Sequence, residues 1–303
     1  MVHGIIPLYK PKGMTSHDCV FKMRKMLHIK KIGHTGTLDP EVEGVLPICI
    51  GDATKIIPFL IHLNKEYIAN IQLGVATTTE DSSGEVILQK SVTKMPTTEE
   101  INDVLQTFVG TIKQTPPMYS AVRVKGKRLY EYARENIPVE RPTREVTIHE
   151  IGQTDFMEST LQDTFQFRVR CSKGTYIRTL CVDIGEALGY PAHMSYLIRT
   201  ISDGFKLEET VTFEDIQEAI EQDTFSTLLQ PVERCVESLD GIQVNEADKI
   251  KVLQGQKLPL PNKIPETRPF KMMYQGQLLA MYDLHPDKKP ELKPVRVFNI
   301  HKN

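Results

Sequence analysis

The stretch GHTGTLDPEVEGVLP, residues Gly33–Pro47, decides how the rest of the chain is read. It places one carboxylate, Asp39, between a Gly- and Thr-rich approach and Pro40. Gly33 and Gly36 are expected to supply backbone angles that residues with a Cβ avoid, and Pro40 biases Asp39 toward extended backbone. Gly44 and Pro47 punctuate the exit. A carboxylate held in this way can serve as a nucleophile, a metal ligand, a base or a turn residue. The loop alone leaves all four open.

Outward from this loop, composition sets bounds. With 303 residues, 40% apolar and 25% charged, the chain is long enough for one large domain or a main domain with a small appendage. No run of about 18 apolar residues appears, which argues against a membrane span. The N-terminal MVHGIIPLYKPKGMTS has Ile5 and Ile6 but no signal-peptide apolar region, so the expectation is a cytoplasmic protein. Cys19, Cys49, Cys171, Cys181 and Cys235 are odd in number and contain no CxxC pair, which argues against a disulfide framework and a zinc site. The histidines show no ligand spacing, and no metal is expected. GDATK, Gly51–Lys55, lacks the glycine spacing of a phosphate-binding loop, so a nucleotide hydrolase reading fails.

Net charge is only −2, but it is segregated. Lys10, Lys12, Lys22, Arg24, Lys25, Lys30 and Lys31 crowd the N-terminal part, and Lys113, Arg123, Lys125, Lys127 and Arg128 form a second basic group. Residues 208–248 are mainly acidic. Such segregation fits either a polyanion held on one face or simply solvated faces.

Periodicity predicts a strand over Gly4–Tyr9, a helix from about His17 capped by Thr15 or Ser16, an apolar strand or buried helix over Val45–Ile50, and a helix over Ala53–Leu63. It predicts strands at Tyr67–Leu73, Glu85–Gln89, Arg144–Ile151 and Gln162–Cys171. Helices are expected from Thr97 or Thr98 to Phe108 and over Ile177–Leu188, the latter stopped by Gly189. Pro116, Pro117 and the basic group predict that Gln114–Ile137 is an exposed excursion containing a helix near Lys127–Glu135. Beyond Gly241, strand-like pieces at Met272–Tyr274, Leu278–Tyr282 and Pro294–Phe298 alternate with turns. The class is α+β, with a main domain over residues 1–240 and a small β-rich domain over 241–303.

YKPKGMTSHD, GHTGTLDP with GVLP, the KEY tripeptide, QTPPMYSAVRVKGKRLYEYAR, and CSKGTYIRTL followed by GYPAHMSYLIRT run in order from Tyr9 to Thr200. Together they resemble the TruB family of tRNA pseudouridine synthases. The resemblance implies a mixed, mostly antiparallel central sheet flanked by helices, the pseudouridine synthase fold, with a PUA-like C-terminal RNA-binding domain. It implies isomerisation of uridine 55 in the T-loop of tRNA, by a monomer that binds the T-loop and stem and needs no cofactor. Asp39 aligns with the family nucleophile and Arg178 with the arginine that pairs with it. Tyr67 aligns with the tyrosine that stacks on the base and assists proton removal. Tyr176 and Leu197 align with the walls of the uracil pocket, and His34 with the histidine that holds the uridine out of its stack. Lys10, Lys12, Arg123, Lys125, Lys127 and Arg128 are candidates for phosphate contacts, the last four of them on an RNA-binding loop spanning about residues 114–145. Glu41 and Glu43 depart from the family pattern, which favours neutral or smaller residues there. A different class of function, a tRNA-binding protein or folding chaperone without chemistry, would keep the scaffold but not need Asp39, Tyr67 and Arg178 together.

Overall fold

Thr15 has extended backbone and caps the helix Ser16–Leu27, exchanging hydrogen bonds with Asp18 in a reciprocal capping box. On the buried face of this helix, Cys19, Val20 and Met23 pack with Ile6, Leu8, Leu46, Ile48, Phe213 and Ile216. The computed structural model describes residues 2–62, 64–156, 161–286 and 291–300. The expected helix end at Leu63 and the expected outer domain limits, residues 1 and 303, lie outside the described residues.

Two compact units divide the chain, one of residues 1–40, 44–62 and 202–303, the other of residues 41–43 and 63–201. In the first, the strand Gly4–Lys10 pairs antiparallel with Glu43–Ile50, which also pairs with Ile32–His34. Val45–Ile50 is therefore strand, the extended alternative. The N-terminal strand also exchanges hydrogen bonds between Ile5 and Gln230, and between Val211 and both Pro7 and Tyr9. Residues Gly51–His62 form a 3₁₀ helix with a kink at Leu60 in place of the expected regular helix. Gly51 is needed there: its φ is +61°, and a side chain would collide with the His3 ring and the Val2 carbonyl. Asp52 next to it accepts from the ammonium groups of Lys31 at 2.6 Å and Lys55 at 2.8 Å, which gives GDATK a structural role.

The β-rich C-terminal sheet lies within the first unit. Its order is Gly241–Gln243, Phe270–Tyr274, Gln277–Leu284, Glu291–Val297 and Leu258–Pro259, with the first pair parallel and the others antiparallel. The helix Glu246–Leu253 covers it through Val252, which packs with Phe270, Met272, Tyr282 and Leu292. Sequence periodicity gave no sign of this helix, because its apolar face is narrow.

In the second unit a sheet runs in the order Ala192–Ser202, Lys65–Leu73, Thr164–Cys171, Arg144–Gln153 and Gly110–Gln114. The last four are antiparallel neighbours. The α+β class holds, and the sheet gains two strands that periodicity did not predict, Gly110–Gln114 and Ala192–Ser202. Helices Thr98–Thr107 and Ile177–Ala187 complete the unit with the short helix Leu129–Arg134.

The reading of Gln114–Ile137 as an exposed excursion needs correction. Gln114, Pro116, Pro117, Ser120, Val122, Leu129 and Tyr132 are all buried. Solvent reaches residues 134–137 and the hairpin Arg123–Val124/Lys127–Arg128, whose Lys125–Gly126 turn has positive φ at both residues.

Burial alone would raise the Asp52 carboxyl, but its two ammonium partners outweigh this and hold it at about 2, below the ordinary 3.8. A depressed carboxyl stabilises the fold above its unfolded value and loses that contribution as pH falls toward the folded value. Asp52→Asn is expected to lower stability by about 2 kcal/mol at most near neutral pH. In urea unfolding, the gap to wild type should close as pH is lowered from about 4 toward about 2. A gap independent of pH would show that the ion pairs contribute nothing.

Candidate active site

The loop around Asp39 is built from the first unit. The strand Ile32–His34 delivers the chain, with Gly33 opposite Cys49 and His34 opposite Ile48. Neither Gly33 nor Gly36 is among the glycines with positive φ, so the expected backbone reason for them fails. At Gly33 the constraint is space: a Cβ would sit 3.2 Å from the Ile57 side chain. Positive φ is used instead at Gly44, at 104°.

Buried Thr35 donates from its hydroxyl to the Asp203 carboxylate, which also accepts from Ser202 at 2.9 Å. Its own N–H reaches the Pro47 carbonyl at 3.2 Å. Ser16, buried in the first turn of its helix, donates to the Leu38 carbonyl at 3.2 Å and accepts from the Leu38 N–H at 2.8 Å. On the far side of Asp39, the Pro40 carbonyl accepts from the Lys10 ammonium at 3.1 Å and from the Gly13 N–H at 2.8 Å. The residues flanking Asp39 are thus each fixed through backbone atoms, while Asp39 itself is half-buried.

Lys10 must be reassigned. Its side chain is fully buried and its ammonium also bonds the Pro11 carbonyl at 3.0 Å, so it braces the loop and does not face solvent as a phosphate contact would. Lys12, by contrast, is exposed.

The remaining candidates stand in the second unit. Tyr67, 8% exposed, lies in the strand Lys65–Leu73 opposite Val169. Leu197, 7% exposed, is carried by the neighbouring strand Ala192–Ser202. Tyr176 precedes the helix Ile177–Ala187 and is held at two points by buried Gln114: its N–H donates to Oε1 at 3.0 Å, and its carbonyl accepts from Nε2 at 3.2 Å.

Arg178, in the first turn of that helix, is 6% exposed. Its guanidinium donates to the Thr79 carbonyl at 3.0 Å and the Tyr119 carbonyl at 2.9 Å, with the Asp81 carboxylate 3.7 Å away. Asp81 is itself oriented by the Thr79 hydroxyl at 2.6 Å and the Ser83 N–H at 2.9 Å. Adjacent Glu80 accepts from the Thr179 hydroxyl at 2.7 Å, and burial pushes its carboxyl above the usual range despite the nearby Arg178 charge. The turn Thr77–Gly84 is thus a support for the arginine, a role that its polar sequence did not disclose.

On the exposed hairpin, Arg123, Lys125, Lys127 and Arg128 all reach solvent. Lys127 pairs with Glu135 at 2.6 Å, and Arg128 and Arg134 lie over the Tyr130 ring at 5.7 and 5.3 Å. Glu43, one of the two departures from the family pattern, accepts from the Tyr196 hydroxyl at 2.7 Å. Among the described residues, no three His, Cys, Asp or Glu side chains gather as a metal site.

Comparison with known proteins gives these positions a context. Residues 24–177 match the TruB family pseudouridylate synthase N-terminal domain, and residues 178–237 match the tRNA pseudouridylate synthase B C-terminal domain. A tRNA pseudouridine synthase B of Oceanobacillus iheyensis is 54% identical over 300 residues, covering 99% of this chain and 98% of its own. Another from Staphylococcus epidermidis is 49% identical over 307 residues, covering 99% of this chain and 100% of its own. Among solved structures, an H/ACA ribonucleoprotein bound to a substrate RNA containing 2′-deoxyuridine matches with TM-score 0.73 and 27% identity, over 97% of this chain and 84% of that one. A Cbf5-Nop10-Gar1 complex matches with TM-score 0.72 and 28% identity, over 99% of this chain and 84% of that one. The fold is that of the pseudouridine synthases. Within that class, the chain belongs to the TruB family.

Gln114→Leu should remove both hydrogen bonds that the amide gives the Tyr176 backbone, leaving the carbonyl with its bond from the Leu180 N–H. Denaturant unfolding is expected to show a loss of about 1–3 kcal/mol. Unchanged stability would mean that water replaces the amide and that Gln114 does not hold this helix end.

Proposed function

We propose that this protein isomerises uridine 55 in the T-loop of tRNA to pseudouridine, with Asp39 as the nucleophile. The observation that carries the reading is the fixation of Asp39: Leu38 before it and Pro40 after it are each hydrogen-bonded through backbone atoms by groups from the N-terminal strand, turn and helix. A turn residue needs no such bracing, whereas a nucleophile gains from a fixed approach to the reacting atom.

In this reaction the N1–C1′ glycosidic bond breaks, the uracil turns, a C5–C1′ bond forms, the C5 proton leaves to water, and N1 takes up a proton from water. A carboxylate suits attack at C1′, as an ester, or at C6, as an adduct, because either bond can be broken again to return Asp39 unchanged. Arg178 is the cation that serves the nucleophile: a guanidinium favours an ionised, oriented carboxylate. Tyr67 stacks on the base and assists loss of the C5 proton, while Tyr176 and Leu197 line the uracil pocket. His34 helps to keep the uridine out of its stack, which costs on the order of a few kcal/mol. Backbone contacts from Lys12, Arg123, Lys125, Lys127 and Arg128 offset that cost. The sheet of residues 241–303 acts as a PUA-like RNA-binding domain beside the catalytic domain of residues 1–240, and the protein works in the cytoplasm as a monomer without a cofactor.

The test uses a tRNA transcript tritiated at uridine C5, with a second transcript carrying cytidine at position 55. Wild type should release the tritium of one uridine from the first transcript and none from the second. Asp39→Asn should bind tRNA with little change and release tritium slower by on the order of 10³-fold or more. Near-normal release by that variant would refute the nucleophile assignment, and equal release from both transcripts would refute position 55.

A further inference from the structure

We infer that Ser16 is a positioning residue for the nucleophile, acting through the backbone of Leu38; the inference rests on the role proposed for Asp39. One hydroxyl meets both polar groups of the preceding residue, accepting the Leu38 N–H at 2.8 Å and donating to the Leu38 carbonyl at 3.2 Å. Ser16 is 1% exposed and Leu38 4%, so water does not compete for these groups.

The hydroxyl is also rigidly mounted. Ser16 opens a helix whose capping box fixes its start and whose Cys19, Val20 and Met23 are sunk in the core. In the first turn of a helix, backbone N–H groups lack partners within the helix, and small polar residues there usually serve the helix itself. Thr15 already performs that service through Asp18, which leaves the Ser16 side chain for the loop. The result is a short mechanical path: core, helix, Ser16 hydroxyl, Leu38 peptide groups, Asp39.

Between the fixed Leu38 carbonyl and the fixed Pro40 carbonyl, little backbone freedom remains at Asp39, since Pro40 further restricts its ψ. Removing the Ser16 hydroxyl frees one side of this bracket without touching the carboxylate. A nucleophile displaced by about 1 Å commonly loses on the order of 10²-fold in rate, while binding made elsewhere is kept. That split separates positioning from mere support of the fold.

The experiment measures single-turnover tritium release at saturating enzyme, tRNA dissociation constants, and thermal unfolding for Ser16→Ala, Ser16→Cys and Ser16→Thr. Ser16→Ala and Ser16→Cys should slow the single-turnover step by about 10- to 100-fold with an unchanged dissociation constant. Ser16→Thr, which keeps the hydroxyl, should stay within about threefold of wild type. Should Ser16→Ala fail to fold, the Cys and Thr variants carry the same comparison. Wild-type rates for Ala and Cys would overturn the inference, as would rate losses matched by equal losses in tRNA binding or folded fraction. Asp39→Asn run in parallel keeps the two ideas apart: if it is inactive while Ser16→Ala is not impaired, only the positioning role fails.

Discussion

A buried ammonium group must find oxygen, and the loop that carries Asp39 is organised around that need. Lys10 ends the N-terminal strand with its side chain wholly out of water. Leaving such a charge unsatisfied would cost several kcal/mol. Carbonyls of Pro11 and Pro40 receive it, so the strand end and the residue after Asp39 are tied through one cation. If the loop swung away, that charge would lose the Pro40 carbonyl. Its order comes from the strand, turn and helix of residues 4–27 more than from any stiffness of its own glycines and threonines.

The elements legible in the sequence were those whose cause is local. Thr15 with Asp18, and Thr97 with Glu100, announce helix starts because capping chemistry acts across three residues. Gly189 ends its helix with φ of 82°, as a C-terminal glycine does. The strand Lys65–Leu73 showed through its apolar content. Where the cause was distant, the reading failed. Nothing in Gly110–Gln114 marks a strand, since Thr111 and Lys113 are polar and only pairing with Arg144–Ile148 extends it. Pro116 and Pro117 looked like loop punctuation but are covered by the fold. Val86, Ile87 and Leu88 err the other way, apolar yet 59–64% exposed.

The candidate residues divide along the same line. Asp39, Tyr67 and Arg178 stood out because they lie in short ordered strings. The groups that hold them are written elsewhere: Ser16 lies 22 positions from Leu38, Gln114 lies 62 from Tyr176, and Asp203 lies 168 from Thr35. A lysine in a basic run reads as solvated, so the burial of Lys10 was invisible to a charge count. Glu43 looked like a liability near RNA, but a tyrosine hydroxyl occupies it.

The first unit is assembled from three separated pieces of chain, and this has a consequence for how the protein is made. Synthesis proceeds from the N-terminus, so the strand Gly4–Lys10 emerges long before Val211 and Gln230, to which it is hydrogen-bonded. Residues 63–201, one uninterrupted stretch plus the three residues 41–43, leave the ribosome before the first unit has its last piece. Closing a loop of some two hundred residues costs only slightly more entropy than closing one half as long, about 0.6 kcal/mol per doubling. The order of events is therefore set by emergence more than by entropy. The half that carries Tyr67 and Arg178 can mature while the nascent chain is still attached, and the half that carries Asp39 is completed last. A message truncated before residue 211 would yield the arginine in its finished setting and the aspartate in an unfinished one.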